Sequence, residues 1–250
     1  IEIKDPKSRV LQIQGPASIE IMKSASNGKI DENMPYFSSN FFDLGGQTLY
    51  VSRTGFTNEL GFEIFCDGFN TDHLALWDYL IECGKPYGMK FSASRAMTIR
   101  RIEGGIFGNL TDIDTTITPF EAGLGYFVNM DKDFIGKDAL MKKDKRTCLF
   151  GITCKTAVPK AGSKIKLNDK EVGYITAGVP SPTLQLGIGY VRFYEPNDYM
   201  NKEIEILLPD NSSHIGVVVD LPFYDKEKRI VKGIDRTIPT KPDNTVYDAK

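Results

Sequence analysis

The stretch Arg53-Thr-Gly-Phe-Thr-Asn-Glu-Leu-Gly-Phe-Glu-Ile-Phe65 decides how the rest of the chain is read. Leu49, Val51 and Arg53 alternate on one side of a break, and Leu60, Phe62 and Ile64 alternate on the other. Period-2 alternation of apolar residues is the signature of a half-buried strand, so the segment predicts two strands and a turn. Gly55 and Gly61 bracket the loop and are expected to supply positive φ. Glu59 sits at its tip, a carboxylate among apolar neighbours. Periodicity alone predicts an ordinary hairpin with a solvated acid.

Outward from this hairpin, Leu11-Gln-Ile-Gln-Gly-Pro16 reads as a strand and turn leading into a helix over residues 17–25. A second helix is expected over Thr71–Cys83. Its apolar stripe is Leu74, Trp77, Leu80 and Ile81, and Gly84 closes it. Ser92–Gly105 predicts a third helix with Ala96, Ile99 and Ile102 inward, and with Arg100, Arg101 and Glu103 on a solvated face. Thr118-Pro119 is a cap and helix-start signal. A strand is expected at Tyr126–Met130. Asp112 and Asp114 read as turn residues whose side chains bond the backbone.

Lys142–Arg146 is a charged linker. Beyond it the pattern is all-β, with short strands at 149–154, 164–167, 171–177, 186–192, 203–208 and 214–219. Asn168-Asp169 and Pro209-Asp-Asn211 are turns between them. Regular short strands of this kind predict a small barrel or sandwich. After Asp225 the chain turns basic, then Pro- and Thr-rich, and is expected to be a loosely ordered tail.

The chain of 250 residues is 41% hydrophobic and 26% charged, with a net charge of −2, enough for two compact units. So balanced a charge gives no nucleic-acid footprint and no polybasic membrane patch. No apolar run approaches the length of a bilayer span. Four cysteines in no paired spacing, with only two histidines, argue against a metal site and for reduced thiols in a cytoplasmic or organelle-matrix setting.

Five stretches, in order, resemble the glycine cleavage T-protein family of tetrahydrofolate-dependent aminomethyltransferases. Arg53-Thr-Gly-Phe-Thr-Asn-Glu-Leu-Gly-Phe-Glu63 is similar to that family's Arg-Thr-Gly-Tyr-Thr-Gly-Glu-Asp-Gly-Phe-Glu. Asp112-Ile-Asp-Thr-Thr-Ile-Thr-Pro-Phe-Glu-Ala-Gly-Leu-Gly125 and Asp131-Lys-Asp-Phe-Ile-Gly-Lys-Asp-Ala-Leu140 resemble its central segment. Gly173-Tyr-Ile-Thr-Ala-Gly-Val-Pro-Ser-Pro-Thr-Leu184 resembles its barrel motif, and Leu221-Pro-Phe-Tyr224 its closing element.

The resemblance implies an α+β fold: a folate-binding region over 1–143, a C-terminal β-barrel domain over 148–225, and a tail at 226–250. It also implies that roughly the first third of a complete member precedes Ile1, and with it the acid near the folate N5. No catalytic residue is therefore assigned. The implied site residues are Glu59, whose carboxylate would pair with the pterin's donor edge, with Arg95, Arg100, Tyr126 and Tyr224 around a tetrahydrofolate in a central hole. The aminomethyl-lipoyl carrier protein, or a small-molecule one-carbon donor, is the implied partner. Arg101-Ile-Glu-Gly-Gly105 resembles the family's Arg-Leu-Glu-Ala-Gly, but Met97 stands where an arginine contacts the folate. That departure keeps two alternatives open: a folate-dependent demethylase of the dimethylsulfoniopropionate type, and the folate-binding part of a sarcosine or dimethylglycine dehydrogenase-like protein.

Overall fold

A computed structural model of the protein describes residues 5–237. Residues 1–4 and the last part of the expected tail, 238–250, lie outside the described residues. The described residues form two compact units, 5–100 with 227–237, and 101–226. The fold is mixed α+β with a C-terminal closed barrel, as the pattern predicts.

The first unit holds a four-stranded antiparallel sheet. Its strands are β1 (Arg9–Gln14), β2 (Ser39–Leu44), β3 (Gln47–Ser52) and β4 (Gly61–Cys66), in the spatial order β1-β4-β3-β2. The register pairs Val51 with Ile64 and Tyr50 with Phe65. Alternation therefore sends Leu49, Val51, Phe62 and Ile64 into the core and leaves Phe41, Tyr50 and Phe65 as an aromatic row on the other face. Helices α1 (Ser18–Ala25) and α2 (His73–Gly84) cover the core face with Ile19, Met22, Leu76 and Leu80. Asp72 caps α2, accepting from the Ala75 N–H at 3.0 Å.

Two expectations about α2 change. Gly84 does not end the helix in a left-handed cap; the chain continues as a 3₁₀ turn over Lys85–Tyr87, and Gly88, at φ 69°, makes the cap. The core-facing residues are Leu76, Leu80 and Gly84, while Leu74 is exposed. A β-carbon on Gly84 would lie 2.4 Å from the Met89 side chain, so this turn needs glycine for close approach rather than for its φ.

Helix α3 (Ser94–Glu103) ends at Gly105, whose φ of 70° suits the stop. In the second unit, Thr118 and Glu121 form a reciprocal capping pair, the Thr118 N–H donating to Glu121 at 2.7 Å and the Glu121 N–H to Thr118 Oγ1 at 3.2 Å. The strand expected at Tyr126–Met130 does not form. Gly123 turns left-handed at φ 74°, and Gly125–Phe127 is a 3₁₀ turn. A short helix, α4 (Lys137–Met141), precedes the barrel.

The barrel strands are β5 (Leu149–Cys154), β6 (Lys164–Leu167), β7 (Lys170–Ser181), β8 (Leu186–Phe193), β9 (Glu203–Leu207) and β10 (Ser213–Val219), closed in the order β10-β5-β8-β7-β6-β9. Asn168 and Asp169, at φ 51° and 62°, form the two-residue β6–β7 turn; positive φ at both positions matches the right-handed strand twist. The barrel interior is filled by Ile152, Ile165, Ile175, Val191, Phe193, Ile206 and Val218, so it is a packed core and not a channel.

Candidate functional site

β3 and β4 are joined by an eight-residue loop, 53–60. Neither Gly55 nor Gly61 adopts positive φ; Asn58 does, at 56°. The two glycines serve a different purpose. A β-carbon at either would lie within 2.1–2.4 Å of the Gln14 side chain, so their missing side chains make room for that amide. Gln14 Nε2 donates to the carbonyls of Thr54 and Phe62, both at 3.2 Å, and Gln14 Oε1 accepts from the Thr57 hydroxyl at 2.6 Å. The turn after β1 adds two bonds to Leu60 O, from the Gly15 N–H at 2.7 Å and the Ser18 hydroxyl at 3.1 Å. Gln14 is thus a clamp on the loop. In the sequence it stands out only as part of a turn motif, because one polar residue some forty positions away carries no local signal.

Held in this way, Glu59 lines a cavity of about 420 Å³ within the first unit. Trp77, Leu80 and Ile81 of α2 form one wall, Met89 and Phe91 of the following segment another, and Ala96, Met97 and Arg100 of α3 a third; Gln12 and Gln14 supply polar atoms from β1. Trp77 and Phe91 meet edge to face, with ring centroids 5.7 Å apart. Glu59 and Arg100 are brought together at 2.5 Å, each side chain about one-fifth exposed. A cavity of this size, with mostly apolar walls and a few convergent polar groups, has the make-up of a small-molecule site.

The other expected site residues fall elsewhere. Arg95 is exposed on the first turn of α3 and is not part of this lining. Tyr126 lies on the 3₁₀ turn of the second unit and is 95% exposed, and Tyr224 is half-buried after β10, its N–H donating to Glu103 O at 3.1 Å.

The structure corrects the reading of Arg101, Glu103 and Asp112. Arg101 and Glu103 are buried rather than solvated, and Asp112 is more than a turn former. Asp112, 1% exposed, accepts from Arg101 Nη1 at 2.8 Å, the Gly108 N–H at 2.7 Å and the Thr176 hydroxyl at 2.8 Å. Glu103 accepts from the Ser181 hydroxyl at 2.5 Å and the Thr183 N–H at 3.3 Å. Tyr190, fully buried, places its hydroxyl 3.1–3.3 Å from the carbonyls of Arg101, Ile102 and Ile106, and burial raises its pKa far above the usual phenol value. Asp114 behaves as expected, bonding the Thr116 N–H and hydroxyl. Among the described residues no cluster of His, Cys, Asp and Glu could hold a metal ion, and no helix is long and apolar enough to cross a membrane.

Comparison with known proteins agrees with this architecture. The family model described as the GCVT N-terminal domain matches residues 2–132, and that of the glycine cleavage T-protein C-terminal barrel domain matches residues 145–225. The chain belongs to the glycine cleavage T-protein family. Among curated relatives, the aminomethyltransferase of Caldanaerobacter subterraneus subsp. tengcongensis is 34% identical over 235 residues, covering 90% of this chain and 62% of the relative. That of Alkaliphilus oremlandii is 38% identical over 197 residues, covering 76% of this chain and 52% of the relative. The chain therefore spans less than two thirds of these relatives' length. The crystal structure of glycine cleavage system aminomethyltransferase T from Bartonella henselae shares the fold, with a TM-score of 0.74 at 22% identity over 88% of this chain and 60% of that one.

Proposed function

We propose that this chain is the folate-binding and barrel part of a tetrahydrofolate-dependent one-carbon transferase, namely the aminomethyltransferase of glycine cleavage. The observation that carries the reading is Glu59, fixed by a clamped loop into a largely apolar cavity beside Arg100. A pterin presents adjacent ring N–H and amino donors, which a carboxylate accepts as a pair of charge-assisted bonds. Trp77 and Phe91 take the place proposed for aromatic walls, ahead of Tyr126 and Tyr224. Tetrahydrofolate supplies the nucleophilic nitrogen when bound; what these residues contribute is its position. Family membership and the relatives' names support the aminomethyl group on a lipoyl carrier protein as the donor. The two matched segments support functional domains at 1–143 and 148–225, and four free cysteines are in keeping with a reducing, cytoplasmic setting.

One observation favours the demethylase as a second reading. Met97, not an arginine, lines the cavity on α3, so the cation that the aminomethyltransferase pattern places against the folate is replaced there by a thioether.

Glu59→Gln in the full-length protein tests the first reading. It keeps the shape and one acceptor but removes the charge and one paired bond, so tetrahydrofolate should bind about tenfold to a hundredfold more weakly by calorimetric titration. Because the Glu59–Arg100 pair is partly exposed, unliganded stability should fall by no more than about 1 kcal/mol. Equal affinities would mean that the pterin is read elsewhere.

A further inference from the structure

The segment 227–237 follows the part of the chain matched by the barrel family model, which ends at residue 225. Its basic composition predicts a loose tail. Instead it packs in the first unit, with Val231 only 5% exposed. Its bonds converge on the loop that carries Glu59. Lys228 Nζ donates to Asn58 Oδ1 at 3.1 Å; Asn58 is 4% exposed, left-handed, and next to Glu59 in sequence. At the other shoulder of the loop, the buried Arg53 guanidinium donates to Lys232 O at 3.2 Å and also to Met34 O. Arg236 Nε donates to Pro16 O at 2.9 Å, and its Nη2 pairs with Glu20 at 2.5 Å. This hydrogen bond holds the Glu20 carboxyl below the usual range. Pro16 lies in the turn whose Gly15 N–H holds Leu60 O. Three separate contacts thus reach both shoulders of the loop and the turn beneath it.

We propose that residues 227–237 are a positioning brace for Glu59, with Lys228 acting through Asn58 to keep the carboxylate turned into the cavity. This rests on the reading of Glu59 as the pterin acceptor. An eight-residue loop has no ladder of its own, and ordering it costs about 1–2 kcal/mol of backbone entropy per residue. Contacts that order the loop already in the free protein appear as ligand affinity. Loss of the Lys228 bond should therefore free the loop and weaken the ligand without unfolding the sheet below.

The test uses Lys228→Met, Lys228→Arg and Asn58→Gly in the full-length protein. Glycine tolerates the left-handed φ at position 58 while removing the acceptor. Three quantities are measured: tetrahydrofolate affinity, amide hydrogen exchange across residues 54–60 without ligand, and thermal midpoint. The brace predicts that Lys228→Met and Asn58→Gly each weaken affinity about threefold to tenfold and speed exchange at 54–60. The double variant should be no worse than either single one, and Lys228→Arg should restore most of the affinity. A merely structural Lys228 would shift the thermal midpoint and leave affinity unchanged, which overturns the proposal. Unchanged exchange at 54–60 overturns it as well. If exchange quickens but neither Lys228→Met nor Glu59→Gln alters affinity, the Glu59 reading has failed and the brace has no bearing on the ligand.

Discussion

Asp112 offers the sharpest stability test. Its carboxylate is 1% exposed and takes three hydrogen bonds: from Arg101, whose side chain is 10% exposed, from the Gly108 N–H and from the Thr176 hydroxyl. Asp112→Ala removes this anion from beside the buried Arg101 guanidinium, which also donates to the Ile106 carbonyl at 3.0 Å. Breaking one side of a buried ion pair costs about 3–5 kcal/mol, because the other charge stays desolvated. Two orphaned neutral donors add about 1 kcal/mol each where water does not reach them, and these costs overlap. A net loss of about 4 kcal/mol is expected, a large share of a typical domain's stability of about 5–15 kcal/mol. The diagnostic comparison is Arg101→Met with Asp112→Ala together. Removing both charges takes away the desolvated guanidinium together with its Asp112 partner, so the double variant should be more stable than Asp112→Ala alone. Urea denaturation followed by far-UV circular dichroism on the full-length protein measures this. A loss below about 1 kcal/mol for Asp112→Ala, or a double variant whose cost equals the sum of the singles, would refute the pair as the anchor of this segment.

Two further outcomes are expected. Gly61→Ala would put a methyl 2.4 Å from the Gln14 amide, which must swing away and give up its bonds to Thr54, Phe62 and Thr57; a loss of about 2–3 kcal/mol is expected by urea denaturation, shrinking to under about 1 kcal/mol in a Gln14→Ala background, and equal losses in both backgrounds would rule out the clamp. Cys148 is buried beside Glu121, and desolvation, then that charge, pushes its thiol up to about 11 from 9.0. The folded state keeps the proton while the unfolded state releases it. Stability should therefore decline as pH rises through about 9 and level off above about 11, by at most about 2.7 kcal/mol. Comparing the urea midpoints of wild type and Cys148→Ala at pH 8 and pH 10.5 should show a smaller decline in the variant, and identical declines would refute the assignment.

What is legible in the sequence is whatever a local period or a local turn carries. Leu49 and Val51 against Phe62 and Ile64 place the hairpin and its core face, and Asn168-Asp169 announces the barrel's tightest turn. The α2 stripe is plainly apolar in the sequence, but its purpose is not written there. Trp77, Leu80 and Ile81 all line the cavity, and only Leu80 also belongs to the core. Apolar residues at helical spacing cannot tell a packed wall from the wall of a pocket, since both exclude water. The strand expected at Tyr126 fails for a different reason: Gly123 and Gly125 bend the chain more strongly than an aromatic and a valine can extend it. Arg101, Glu103 and Asp112 are misjudged from sequence because the burial of a charge depends on its partner. The partners Thr176 and Ser181 lie 64 and 78 residues away from the acids they bond.

The same logic explains why the site itself is scattered along the chain. A strand is fixed by its neighbour's backbone, so almost any residue of suitable shape will serve. Loop 53–60 has backbone bonds only at its ends, from Arg53 to residues 37 and 38 and from Leu60 to Gly15, and between them side chains reach in: Gln14 and Ser18 from one side, Lys228 from the other, with Arg53 reaching out to Lys232. Each fixing point removes part of an ordering cost of about 1–2 kcal/mol per residue. The requirement for Glu59 to face the cavity is therefore written at positions 14, 55, 61 and 228 as much as at 59 itself. On the proposed reading of Glu59, a substitution at 228 is felt as lost loop order and affinity, whereas one at 14, 55 or 61 also costs fold stability, because it disturbs the Gln14 bonds.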